Sequence, residues 1–508
     1  MRGKALMIQG TGSSVGKSLL TTALCRILTE EGWRVAPFKS QNMSNNAAVT
    51  ADGGEISRAQ AAQAEACRIA PTVLMNPVLL KPTTDLGAQV IVLGKPVGTM
   101  TAREYHAFKP QLRPIIAQAL EELRRRTELL IIEGAGSPAE INLQADDLAN
   151  MWVAQQAEAS VLLVGDIDRG GVFAQLVGTM ELLREEERGL VRGFLINKFR
   201  GDASLLAPGV QWLQERCHRP ILGIIPYLPE VGIAEEDRIS PDTLTPEPAN
   251  GSLRIEVVHL PRISNISDVD ALAREPGVTL RFVERPHDGN VPHGIILPGS
   301  KSTIADLAFL RERGFDRYLQ RCLHDGADVV GLCGGFQMLG QQILDPDHVE
   351  ASVSAAPGLG WLPLTTQFTK EKLVARIRGL HCESGLPVVG YEIHMGRMRY
   401  ESVARSVFRF TDRAGHAIDE ADGAQSEDGH VWGTHLHGVF DQPAFRRWWL
   451  ARLRRRAGLP LGAMASRSPA SADPYDRLAA SVRPHLNLEA IQHLVHRPPF
   501  QNAVSSQQ

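Results

Sequence analysis

The sequence has no paired cysteine motif, no long apolar run and no surplus of one charge. Six cysteines (Cys25, Cys67, Cys217, Cys322, Cys333 and Cys382) lie scattered without a CxxC spacing, which argues against a disulfide framework and fits reduced thiols. No uninterrupted apolar stretch approaches the roughly 18–20 residues of a membrane-spanning helix. The apolar run near the N-terminus is too short for a signal peptide. A net charge of −3, from 54 basic and 57 acidic residues, gives no electrostatic footing for nucleic acid or a membrane surface. The expectation is a cytoplasmic protein that binds neither. There is no internal repeat, and the polar tail 501–508 is expected to fray.

What is present is 508 residues with 43% hydrophobic and 22% charged side chains, an ordinary globular composition too long for one core. In the first half, strand-like apolar runs (5–9, 34–38, 129–133, 161–166, 193–197, 221–225) alternate with helix-period segments (19–31, 113–125, 145–157). That alternation predicts a parallel α/β sheet covered on both faces. The pattern breaks at DRISPDTLTPEPANGS (237–252), the best linker candidate. A second α/β pattern follows, with strands at 253–259, 280–283, 294–297 and 328–332. The expected domains are 1–240, 252–445, and a helical extension 446–508 packed on the second. In RRWWLARLRRRAGL (446–459), Trp448 and Trp449 should face the core and the arginines solvent.

Residues 5–18 read ALMIQGTGSSVGKS: an apolar strand, a glycine-rich turn, then a helix-forming segment. This is the context of a phosphate-binding P-loop. Backbone N–H groups of Gly10, Thr11, Gly12, Ser13, Ser14, Val15 and Gly16 can turn toward phosphates, aided by the helix N-terminus. Lys17 can reach the β- and γ-phosphates, and the Ser18 hydroxyl can ligate Mg²⁺. The usual spacing would put glycine at position 11; here Thr11 stands between Gly10 and Gly12, giving G-x5-GKS. ATP and Mg²⁺ are therefore the expected cofactors. Glu133 and Asp52 are the further candidate Mg²⁺ ligands, with Asp166 and Asp168 at another strand end as rivals.

Residues 328–336 read DVVGLCGGF. G-x-C-x-G after a buried strand places Cys333 on a sharp strand-to-helix turn, the thiol counterpart of a serine elbow. The helix N-terminus favours thiolate, and Gly334 with the Pro-Gly299-Ser300 turn can supply oxyanion donors. A base is needed, and His437 in THLHG is preferred over His435 because the glycine after it marks a strand end. His381-Cys382-Glu383 is not read as a metal site, since no second cluster has ligand spacing.

Cys333 in GxCxG, His437-Gly and the Pro-Gly turn resemble a class I glutamine amidotransferase. Most members of that family carry H-x-E, but Val439 stands where the Glu would be. The lengthened loop resembles dethiobiotin-synthetase-like ATPases. PFKSQNMSNNA (37–47), DGGEISRAQAAQAEA (52–66), NPVLLKP (76–82), EGAGSPAEINL (133–143), GDIDRGGVFAQ (165–175), INKFRGD (196–202), LPGSKSTIADL (297–307), CGGFQMLG (333–340) and GYEIHMGR (390–397) resemble the cobyric acid synthase family. The resemblance implies two α/β domains, a P-loop synthetase and a glutaminase. It also implies glutamine- and ATP-dependent amidation of carboxylates b, d, e and g of adenosylcobyrinic acid a,c-diamide. Lys39, Gln41, Asn42, Asn45, Asn46 and Lys81 are then candidate corrinoid contacts, and Glu392 and His394 candidate residues on the glutaminase side. Two rivals stay open: an amidase of fewer carboxylates, such as a cobyrinic acid a,c-diamide synthase, and a non-enzymatic MinD-like ATP switch. A homo-oligomer also stays open.

Overall fold

The computed structural model describes residues 2–83, 87–228, 251–401, 404–461 and 473–496. All but the last two residues of the 237–252 linker candidate, and the whole of the 501–508 tail, lie outside them. Two parallel-sheet domains follow one another, as the strand–helix alternation predicts.

The first sheet has six parallel strands in the order Ile221–Pro226, Val191–Phe199, Ser160–Asp166, Lys4–Gly10, Leu129–Glu133, Val35–Phe38. Its strands are continuous apolar runs because helices cover both faces. Leu6, Ile8, Leu162 and Leu195 pack on one face, and Met7, Leu130, Leu163 and Phe194 on the other. The Lys4–Gly10 strand lies inside the sheet, so the loop that follows it emerges at the carboxyl edge between neighbours ending in Glu133 and Asp166.

A small sheet (Gln41–Met43, Val78–Pro82, Gly87–Val92, Lys95–Thr101) extends the first domain toward the second. The second domain centres on the strands Val278–Val283, Leu253–Val258, Gly294–Leu297, Asp328–Leu332 and Val431–Thr434, all parallel, with Ala424–Gln425 antiparallel at one edge. A long antiparallel pair, Leu364–His381 with Pro387–Tyr400, rises beside it.

Two expectations need correction. The helix read over 145–157 begins only at Met151. The Asp147 carboxylate accepts the backbone N–H groups of Ala149, Asn150 and Trp152, so a side chain competes with the helical pattern. The C-terminal extension does not pack as one piece on the second domain. Helix Pro443–Arg456 does, burying Phe445, Trp449 and Leu453, while Trp448 is only partly buried. Helices Pro474–Val482 and Leu488–His496 instead return to the first domain. There Leu478, Val482, Ile491 and Val495 join Leu20, Leu24 and Leu28, and Arg26, 1% exposed, bonds Asp473 at 2.7 Å. Their apolar stripes cover a sheet face that a single helix layer leaves unfinished.

Candidate functional site

The loop between Lys4–Gly10 and helix Lys17–Glu30 opens on a cavity of about 590 Å³. Gly16 has φ +98°, and a Cβ there would sit 2.1 Å from Nδ2 of Asn197, which donates to the Val15 carbonyl at 2.9 Å. Only glycine satisfies both the backbone angle and this approach. Lys17 Nζ donates to the carbonyls of Gly12 (2.7 Å) and Gly136 (2.9 Å), which holds it across the mouth of the loop. Ser18 Oγ donates to Glu133 at 2.8 Å, and Lys39 Nζ reaches the same carboxylate oxygen at 2.8 Å. Burial pushes the Glu133 carboxyl up, but Lys39, Ser18 and Gln63 outweigh it and hold it below its ordinary value. Asp166, paired with Lys198 at 2.8 Å, and Asp168 line the far wall.

Asp52 is not among the residues lining this cavity. It caps the turn 50–54 by accepting from the Thr50 hydroxyl, and a Cβ on its neighbour Gly53 would lie 3.6 Å from the Val374 carbonyl of the second domain. The Asp-Gly-Gly sequence is turn chemistry facing a domain junction.

Cys333 sits at φ 49°, ψ −105°, a strained position between strand Asp328–Leu332 and helix Gly334–Leu339. A Cβ at Gly335 would come within 2.0 Å of the Leu297 carbonyl, so the second glycine lets the elbow seat against the Pro-Gly turn. Gly334 lies against Ser300, whose backbone N–H a Cβ would meet at 2.8 Å. Ser300 and Gly334 are thus brought beside the thiol, and Gly299, where a Cβ would lie 3.6 Å from Cε1 of His437, beside the base.

His437 is 1% exposed and Cys333 8%. Burial pushes the Cys333 thiol up, yet the adjoining charge and hydrogen bond of His437 bring it below its ordinary value. Burial pulls His437 down, but Asp268 and Cys333 push it up to about 10. Both shifts favour the thiolate–imidazolium form of the pair. His437 Nδ1 lies 2.7 Å from Asp268 Oδ2, Tyr391 stacks on the ring at 5.3 Å between centroids, and Asn265 Nδ2 approaches Nε2 at 3.1 Å.

Sequence reasoning missed Asp268 and Asn265. They come from ISNISDVDAL (263–272), and no spacing relates them to His437. His435 is turned elsewhere. It pairs with Asp422 at 3.3 Å and stacks on His394 at 4.0 Å between centroids, and His394 pairs with Glu392 at 3.2 Å.

The six corrinoid candidates separate into four places. Lys39 and Asn42 line the nucleotide cavity. Gln41 accepts from the Tyr105 hydroxyl at 2.6 Å. Asn45 and Asn46 lie at the domain junction: the Asn45 carbonyl accepts from Asn265 N–H at 3.3 Å, and the Asn46 side chain accepts from Ile266 N–H at 2.9 Å. Lys81 is buried in the cavity beside Cys333, bonded to Glu55 at 2.7 Å. Residues 41–47 therefore run from the nucleotide cavity to the loop that touches His437.

Among the described residues no helix is long and apolar enough to cross a membrane, and no three metal-ligating side chains cluster. Residues 6–241 match the CobQ/CobB/MinD/ParA nucleotide binding domain, and residues 254–445 the CobB/CobQ-like glutamine amidotransferase domain. The chain is 49% identical over 501 residues to the cobyric acid synthase of Desulforamulus reducens, covering 97% of this chain and 98% of that protein. It is 50% identical over 515 residues to that of Sorangium cellulosum, covering 97% and 99%. With both domains matched in order and the similarity running nearly end to end, the chain belongs to the cobyric acid synthase family.

Proposed function

We propose that the chain amidates carboxylates b, d, e and g of adenosylcobyrinic acid a,c-diamide in cobalamin biosynthesis, using one glutamine and one ATP for each amide. Cys333 thiolate attacks the glutamine carboxamide carbon, and His437 protonates the departing nitrogen as ammonia. Backbone N–H groups at Ser300 and Gly334 stabilise the oxyanion. Water, deprotonated by His437, then cleaves the thioester to glutamate and restores the thiol. In the other domain the corrinoid carboxylate attacks the γ-phosphate of ATP, breaking its bond to the bridging oxygen and releasing ADP, to give an acyl phosphate. Ammonia displaces phosphate from it. A carboxylate is a poor electrophile, and phosphorylation supplies the leaving group.

Ser18 and Glu133 would hold Mg²⁺, whose charge would neutralise that developing on the transferred phosphoryl group. The fit rests on their two oxygens, 2.8 Å apart, beside the loop that cradles phosphate. Lys17, Lys39 and the backbone of residues 10–16 would bind and orient the nucleotide.

One observation carries this reading. The Cys333 cavity takes part of its wall from Lys81, Thr83, Gln89 and Thr99 of the nucleotide-binding domain, so ammonia formed there is released against the domain that holds ATP. The extent of similarity to cobyric acid synthases favours four amidations over the enzyme of fewer carboxylates, and an enzyme over a switch. The test is incubation with adenosylcobyrinic acid a,c-diamide, MgATP and glutamine, following corrinoid mass. Four successive carboxylate-to-amide changes are expected; a product that stops at one or two, or no product, refutes the assignment.

A further inference from the structure

The cavity beside Cys333 has a volume of about 300 Å³, at the small end for ligand sites and far too small for a corrin ring. Its wall carries an uneven set of charges. Lys81 and Lys372 share the carboxylate of Glu55, at 2.7 and 2.5 Å. Lys372 and Lys301 both donate to Gln89 Oε1, at 2.9 and 3.3 Å. Among the described residues the ammonium groups of Lys81 and Lys372, with the amine of Lys301 beside them, thus face the one carboxylate of Glu55, and the side chains of Lys81 and Lys372 are only 2% and 3% exposed. Buried charge of one sign calls for a counter-ion. The same wall holds one further carboxylate, Glu350, which accepts from Ile304 N–H at 3.1 Å and from the Thr303 hydroxyl at 3.3 Å. A cavity with a cationic cluster, a separate carboxylate and a nucleophilic thiol matches a zwitterion carrying an electrophilic side chain.

We propose that this cavity seats the α-amino-acid end of glutamine, its α-carboxylate on Lys81, Lys301 and Lys372 and its α-ammonium toward Glu350, so that a lysine of the nucleotide-binding domain completes the glutaminase site. This rests on the glutaminase reading above and extends it by naming what recognises the substrate. The electrostatics agree. Burial and the neighbouring lysines bring Lys301 down to about 7, and burial brings Glu350 up to about 8. An arriving carboxylate would return the proton to Lys301, and an arriving ammonium would ionise Glu350. Glu55, itself in the nucleotide-binding domain, orients Lys81 and Lys372 together.

The test uses the full chain and measures ammonia release from three amides: glutamine, 4-aminobutanamide, which lacks the α-carboxylate, and 4-carbamoylbutanoate, which lacks the α-amine. Lys372→Gln is the first variant, because Glu55 keeps Lys81 as a partner; Lys81→Gln is the second. Each should raise KM for glutamine about 30-fold, the scale of one lost charge-assisted hydrogen bond. Each should also shrink the wild-type preference for glutamine over 4-aminobutanamide by a similar factor. Glu350→Gln should instead shrink the preference over 4-carbamoylbutanoate. Because preferences are ratios within one protein, partial misfolding does not mimic them. Lysine variants that lose both amides in equal proportion overturn the proposal. A wild-type chain that releases no ammonia from glutamine removes the glutaminase reading itself, and this proposal with it.

Discussion

Asp268 Oδ2 lies 2.7 Å from Nδ1 of His437, and its other oxygen accepts the backbone N–H of Gly438 at 2.9 Å. Most class I glutamine amidotransferases carry the orienting acid two residues after the histidine, where this chain has Val439. Here the carboxylate on the histidine comes from a segment 169 residues earlier in the chain. It fixes the ring through one oxygen and the strand end through the other.

Asp268→Asn should keep the Gly438 contact and remove the charge that raises His437. Glutaminase kcat should fall about 10- to 100-fold, less than the loss seen when a triad acid is replaced in a serine protease, because the thiol ionises more readily. Removing the acid lowers the imidazolium pKa from about 10, so the basic limb of the kcat/KM profile should move to lower pH. An unmoved basic limb would mean that Asp268 only supports the backbone.

Cys333→Ala should abolish glutamine use while amidation continues with high free ammonia, because among the described residues the nucleotide cavity is lined by the first domain alone. Lys17→Ala should lose amidation with either nitrogen source, since its ammonium is held over the phosphate loop by Gly12 and Gly136. Product mass under the two nitrogen sources checks both. A Cys333→Ala protein equally inactive with ammonia would contradict the division of labour.

The parts legible in the sequence were those a local rule dictates. Continuous apolar runs such as LLIIE (129–133) are buried strands, and both glycine-rich turns follow strands that deliver them to sheet edges. What escaped depends on contacts between distant segments. Asp268 is one of 57 acidic residues, in a segment with no pattern of its own. An apolar stripe such as Leu478, Val482, Ile491 tells that a helix face is buried but not against which domain. Lys81, expected near the corrinoid, lies in a strand whose sheet leans toward the second domain, a placement set by pairing with Gly87–Val92 and not by local sequence.

Glu55 is fully buried between Lys81 and Lys372. Burial pushes its carboxyl up, but the lysines outweigh this and hold it well below the ordinary range. A depressed carboxyl contributes stability that is present above its unfolded pKa, about 4.3, and is lost as pH falls below that value. Glu55→Gln should destabilise the domain junction by about 3–5 kcal/mol, since it leaves two buried lysines without their anion. It should also flatten the acid side of the stability curve. Thermal unfolding between about pH 2 and pH 8 reads both effects, and a variant as stable as wild type at pH 7 would show that the lysines find water.

Removing the chain after residue 461 tests where the C-terminal helices belong. Leu478, Val482, Ile491 and Val495 bury against Leu20, Leu24 and Leu28, and each such side chain contributes about 1.5–3 kcal/mol relative to exposure. Truncation would also leave Arg26, 1% exposed, without Asp473 and Asp476. Asp473 is 40% exposed, so solvent screens that pair and its share is the smaller one. The loss should therefore fall on the nucleotide-binding domain, as weaker ATP binding and an earlier unfolding transition. The second domain itself should unfold at a higher temperature, because helix Pro443–Arg456, which packs on it, is retained. Calorimetry reads the two transitions, and a single transition shifted as a whole would mean that the two domains unfold as one unit and that the helices stabilise the whole chain.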